Sequence, residues 1–210
     1  LEGKTTSASV NFTKEPAYTP LYPGEVLYMP FDGDFIDLVS ISRPTVVGSP
    51  GFAGESVVGL DAYKGAADSY LTFPKAGLLE DEFSAVFWMK VNADPDRAGI
   101  LVIGPPDEGN PDAQNNRTGG FRFFRENAGG EQRFKLNVGN GMADSWFDGG
   151  EAADVVPGND EWHHFAFTIS NTEAVVYIDG EIVRQGPFDG VDWTGCDILS
   201  IMSGAPRFTG

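Results

Sequence analysis

Residues 161–183 read EWHHFAFTISNTEAVVYIDGEIV, and the alternation inside them decides the fold. Across residues 162–169, His163, Phe165, Phe167 and Ile169 fall on one face, and Trp162, His164, Ala166 and Thr168 on the other. A period of two belongs to a strand, not a helix. Ser170, Asn171 and Thr172 then turn the chain, because short polar side chains bond their own backbone. Residues 174–178 form a second strand. Asp179-Gly180 closes it, the pair that best tolerates positive φ at both central positions of a type I′ hairpin. Ile182 and Val183 begin the return strand.

Working outward, the same reading places strands at 26–31, 35–39, 45–47, 56–60, 70–73, 100–103, 119–125, 133–138 and 196–202, with Trp146-Phe147 as a further short one. Residues 76–82 form one helical turn at most. Residues 83–91 alternate with apolar groups on both faces (Phe83, Ala85, Phe87, Met89, Val91 against Val86 and Trp88), the pattern of a strand central to a two-layer sandwich. In 133–138, Phe134, Leu136 and Val138 point inward, with Arg133, Lys135 and Asn137 outward. No helical stretch separates the strands, which excludes βαβ architecture. The fold class is therefore all-β: a two-sheet antiparallel jelly-roll sandwich with little or no helix. Residues 1–24, with Pro16, Pro20 and Pro23, read as an extended leader or linker, and 25–210 as one domain.

The run from Trp162 to Ala166, followed by Val176-Tyr177-Ile178-Asp179-Gly180, resembles the signature hairpin of laminin-G-like domains in the concanavalin A-like lectin/glucanase superfamily. Phe31-Asp32-Gly33 and residues 83–90 fit the same pattern, so the resemblance covers about 26–202. It implies an extracellular, periplasmic or cell-surface protein that binds a glycan or an extracellular protein partner, as part of a larger multidomain chain. The family also implies a closing strand after 198–202, beside the first strand. The sequence instead ends at Phe208-Thr209-Gly210, so the expectation is either a truncated fragment or one sheet with an open edge beside 26–31.

Lys+Arg 14 against Asp+Glu 31 gives a net charge of −17. Such a field repels phosphate backbones and anionic lipid, which sets the chain against nucleic acid and membrane surfaces. No apolar run approaches the roughly 20 residues that span a bilayer. The chain begins Leu-Glu-Gly, from which a mature or trimmed fragment is expected. The lone Cys196 forms no internal disulfide and reads as a buried packing residue. Asn11 and Asn116 head glycosylation sequons by pattern only.

Glycosidases of this superfamily carry Glu-x-Asp-x-x-Glu along one strand, so that alternate carboxylates face the sugar together. No such triplet occurs here, and Glu80-Asp81-Glu82 is consecutive. His163 and His164 are strand neighbours on opposite faces and cannot share an ion or a catalytic centre; His164 reads as a structural hydrogen-bonding residue. Asp32, Asp34 and Asp37 are the candidate ligands of a structural calcium, because hard cations take carboxylate oxygens; no other cofactor is required. Sugar binding needs aromatic platforms ringed by planar hydrogen-bonding groups. Trp146, Trp193, Tyr63 and Phe124 supply the first, and Arg122, Arg125, Asn137 and Asn140 the second, near the long loop at 105–120. A non-catalytic carbohydrate-binding or adhesion module is the expected function. A glycoside hydrolase or lyase with a non-standard site, and a structural spacer, are the alternatives.

Overall fold

The computed structural model describes residues 18–92, 97–105, 118–128, 131–141, 144–148 and 160–202. The expected leader up to residue 17, most of the 105–120 loop, the acidic loop at 149–159 and residues 203–210 lie outside them. The described residues hold thirteen strands and no helix. Seven form one sheet, in the order β1 (Thr45–Val47), β4 (Tyr70–Pro74), β13 (Ile198–Ile201), β6 (Arg97–Ile103), β7 (Phe121–Ala128), β8 (Glu131–Gly139) and β9 (Asp144–Asp148). Four form the facing sheet: β12 (Glu181–Pro187), β11 (Glu173–Ile178), β10 (Trp162–Ile169) and β5 (Phe83–Lys90). β2 (Gly51–Phe52) and β3 (Tyr63–Lys64) pair separately.

The decisive hairpins form as the alternation requires. Phe165 pairs with Ile178 and Ile169 with Ala174 across the first turn. Asp179 and Gly180 have φ of 52° and 85°, both left-handed, as a type I′ turn demands. Phe165, Phe167 and Ile169 bury completely against Phe121, Phe123, Phe134 and Leu136 of the other sheet. Phe165 lies 4.6 Å from Phe134 and 5.8 Å from Phe87, ring centroid to centroid. Each fully buried phenylalanine contributes roughly 2–3 kcal/mol of transfer free energy. Cys196 lies in this core, and burial pushes its thiol up to about 11. The thiol should therefore stay silent to a disulfide reagent in the native protein and react in full in denaturant; native-state labelling within minutes would contradict this placement.

Several expected strands do not form, and side-chain bonding explains each. Residues 26–31 make no sheet strand. The Tyr28 amide donates to Asp37 Oδ1 at 2.9 Å, the Leu38 amide to the Tyr28 carbonyl, and Phe31 turns left-handed at φ 60°. The open edge expected beside 26–31 is correspondingly not there. Among the described residues β13 sits between β4 and β6, and the sheet ends at β1 and β9. Residues 35–39 contribute only an isolated bridge between Asp37 and Ser42. Residues 56–60 bend, because the Leu60 and Asp61 amides go to Asp32 Oδ1 instead of a ladder. Tyr18 stacks on Tyr28 at 4.7 Å and donates its hydroxyl to Glu25.

β5 is not central. Among the described residues it is the last strand of its sheet, with Val86 62% and Trp88 48% exposed. Its second apolar face looks out of the sandwich instead of into a further layer.

Candidate functional site

Pairing registers carry one row of residues across all seven strands of the larger sheet. Thr45 faces Thr72, Thr72 faces Ser200, and Ser200 faces Val102. Val102 then faces Arg122, Arg122 faces Asn137, and Asn137 faces Trp146. The alternating neighbours Phe121, Phe123, Leu136 and Val138 belong to the core, so this row lies on the sheet's outer side. Its centre is nevertheless closed, because Arg122, Asn137 and Val102 are fully buried. The Asn137 position, read from the sequence as solvent-facing, is thus corrected to a buried polar floor.

Arg122 explains the closure. Its Nη1 donates to the Gly119 carbonyl and to Asn137 Oδ1, each at 3.3 Å. A Cβ on Gly104 would stand 2.3 Å from Nη2, so a larger residue there would force the guanidinium to shift. Gly104 and Gly119 flank the 106–117 segment; Arg122 bonds the carbonyl of Gly119 and lies close against Gly104. A buried guanidinium needs such partners, since an unpaired one would be strongly destabilising.

The other predicted sugar-contact residues divide. Phe124 is on the same outer side, paired with Lys135, and buried. Beside it Glu126 accepts from Arg97 at 2.8 Å and Lys135 at 2.6 Å, tying β6, β7 and β8 together. Asn140 follows β8 at the loop end and is half-buried. Trp146 holds the register position opposite Asn137; its side chain lies outside the described residues. Arg125 pairs with Phe134 and lies over its ring at 5.8 Å, on the core side. Trp193 packs on Phe83 and Phe121, with Lys75 over its ring at 4.5 Å. Tyr63 joins Phe31 and Phe35 in a separate aromatic cluster, where burial pushes its phenol up to about 12. Arg122, Phe124, Asn137 and the Trp146 position therefore come together; Arg125, Tyr63 and Trp193 do not join them.

The three candidate calcium ligands do not converge. Asp32 binds the amides of Leu60 and Asp61, and Asp34 binds the Ile36 amide and Arg43. Asp37 is fully buried and accepts from the amides of Tyr28, Val39 and Ser40 and from the Ser40 hydroxyl. Burial raises its carboxyl, but those donors outweigh it and hold the group below the usual range. No group of three or more acidic, histidine or cysteine side chains among the described residues is placed to hold an ion. The carboxylates organise backbone turns, so Asp32, Asp34 and Asp37 do not fit a calcium site.

At the signature hairpin the structural hydrogen bond belongs to His163. Its Nδ1 meets Asp179 Oδ2 at 2.7 Å. His164 gives its backbone amide to Asp179 Oδ1 at 2.9 Å, and its carbonyl accepts from the Asp179 amide at 2.8 Å. The His164 ring instead meets Trp88 edge-on at 5.2 Å. Trp88, with Val86 and Ile182, forms the exposed face of the smaller sheet, which the sequence reading does not single out. The signal was present in the alternation of 83–91, once that strand is placed at the sheet's end.

A two-layer antiparallel sandwich of a seven-stranded and a four-stranded sheet defines a lectin/glucanase-like fold. The chain belongs to the concanavalin A-like lectin/glucanases superfamily, whose laminin-G family model matches residues 64–208. Comparison with curated proteins finds no match. Among solved structures, domain 4 of AbnA, a GH43 extracellular arabinanase from Geobacillus stearothermophilus in complex with arabinotriose, is similar with TM-score 0.64 at 19% identity. That match covers 88% of this chain and 87% of that one. The receptor-binding domain of botulinum neurotoxin C/D mosaic serotype gives TM-score 0.56 at 12% identity, over 87% of this chain and 44% of that one. The enzymatically active domain of tailspike protein 2 from bacteriophage CBA120 gives 0.51 at 13%, over 78% of this chain and 28% of that one. At such identities the likeness establishes the fold alone.

Proposed function

We propose that the chain is a non-catalytic glycan-binding module of a secreted or surface multidomain protein, with its site on the outer side of the seven-stranded sheet. The observation that carries this reading is the row Arg122–Asn137–Trp146, which sets planar hydrogen-bonding groups and an indole-bearing position side by side. The same guanidinium bonds the Gly119 carbonyl and lies close against Gly104. Arg122 and Asn137 serve as a rigid floor beneath the β9 edge, whose Trp146 position supplies the ligand contact. Such preorganisation reduces the ordering cost of binding. The missing carboxylate triplet supports binding without hydrolysis. The near end-to-end likeness to an arabinanase domain solved with arabinotriose supports a saccharide as the ligand class.

Titration calorimetry with arabinotriose, preceded by a glycan array, tests the reading. Trp146→Ala should weaken binding of the best glycan about tenfold, or ~1.4 kcal/mol, without moving the melting temperature by more than ~2 °C. A protein that binds no glycan, or a Trp146→Ala variant that binds as tightly as the parent, would overturn it.

A further inference from the structure

The smaller sheet carries a second face that the proposed site does not use. Its outward positions are set by register: Val86 faces Ala166, Ala166 faces Tyr177, and Tyr177 faces Ile182. In the neighbouring row Trp88 faces His164. Val86, Trp88 and Ile182 are 62%, 48% and 54% exposed. Ala166 lies between Val86 and Tyr177, so the row crossing the strands is uncharged throughout. Neighbouring strands lie about 4.8 Å apart, so the row from Val86 to Ile182 runs about 14 Å. An exposed indole beside such a row is the stacking platform that apolar sugar faces require.

The orientation of the indole is fixed by the signature hairpin. Asp179 clamps the backbone of His164 on both sides, at 2.9 and 2.8 Å. The His164 ring then abuts Trp88 edge-on at 67°. The turn residue thus reaches the platform from two strands away, through His164.

Charge selects the occupant. The chain carries −17 overall, yet Val86, Trp88, Tyr177 and Ile182 bear none of it. Lys90, at one end of the face, is paired with Glu55 at 2.9 Å and Asp160 at 3.8 Å. Glu173 stands at the other end. A second copy would bring another −17 against the same field, and an anionic polymer would be repelled by it. A neutral polysaccharide meets neither penalty. We infer that the outer face of the four-stranded sheet, centred on Trp88, is a second glycan-binding surface for a neutral polysaccharide chain.

The ligand class rests on the glycan-binding reading above, and the two can fail separately. The probes are arabinohexaose, xylohexaose and cellohexaose, with hexagalacturonate as the anionic counterpart. The Trp88 indole N–H resonance, assigned by its loss in Trp88→Phe, is followed in the parent and in Trp146→Ala. The expected result is a saturable shift with at least one neutral hexaose in both proteins and none with hexagalacturonate. Trp88→Ala should also weaken retention on the matching insoluble polysaccharide at least fivefold. If neutral hexaoses bind but the Trp88 signal does not move, the second surface is wrong and the first site stands. If no hexaose or arrayed glycan binds, the module reading falls and takes this inference with it. If Trp88→Ala instead converts a dimer to a monomer in sedimentation, the face is an interface between copies and the inference is overturned.

Discussion

Phe165→Ala should lower the domain's stability by about 4 kcal/mol and its melting temperature by about 12 °C. Phe165 is fully buried on β10, at the point where rings from both sheets meet. It contacts Phe134 at 4.6 Å and Phe87 at 5.8 Å, with Phe123 at 6.4 Å. Truncation removes the transfer free energy of the ring and leaves a cavity that three neighbouring aromatics on rigid strands cannot collapse into. Phe165→Leu keeps most of the volume and should cost only about 1 kcal/mol. Val86→Ala, on the open face of the same sheet, should stay within about 0.5 kcal/mol. Urea melts of the three variants read this ordering directly. A Phe165→Ala loss under about 1.5 kcal/mol would mean that the two sheets do not share a packed core here.

The sequence carried that core plainly, because alternation and a two-residue turn are local signals. Phe165, Phe167 and Ile169 could be placed inside from spacing alone, and Asp179-Gly180 could be read as the turn. Residues 26–31 have the same apolar texture and are not a strand. There the Asp37 carboxylate takes the Tyr28 amide, a bond between residues nine positions apart that no periodicity reports. The exposure of β5 was hidden for a different reason. An apolar face on both sides fits a strand between layers and equally a last strand that presents a surface, and only long-range pairing separates them. The candidate site shows the same limit. Arg122 and Asn137 could be read as polar residues on one side of neighbouring strands. Their burial depends on Gly104 and Gly119, which fold against the guanidinium from either end of a loop, and chain spacing carries no trace of that. Asp32, Asp34 and Asp37 lie within six residues in sequence but serve three different backbone turns, so proximity along the chain misled where hydrogen-bond partners decide.

Asp179→Ala should cost about 2 kcal/mol at pH 7, with about half of that loss disappearing in acid. The carboxylate holds the His163 ring and the His164 amide, and the residue itself sits left-handed at φ 52°. Hydrogen bonds to a charged group are worth roughly 1.5–3 kcal/mol each when buried. The side chain is 49% exposed, so solvent screening reduces that contribution well below the buried figure. Alanine at positive φ adds about 1 kcal/mol of backbone strain. Asparagine tolerates the left-handed backbone and keeps a carbonyl for the His164 amide, so Asp179→Asn should lose about half as much. Burial raises the Asp179 carboxyl, but the bonds from His163 and His164 and their charge outweigh it, leaving the folded value below the ordinary one. A depressed carboxylate stabilises fully above its unfolded value, about 3.9, and loses that contribution as pH falls through the lower folded value. The gap between parent and Asp179→Ala should therefore persist from neutral pH to about pH 4 and narrow below it towards the backbone strain alone. Asp37 titrates in both proteins and cancels from the difference. Urea melts at about pH 7 and about pH 3, with a double-mutant cycle against His163→Ala, measure the effect. A gap unchanged in acid, or no coupling to His163, would show that the turn holds by backbone geometry without the clamp.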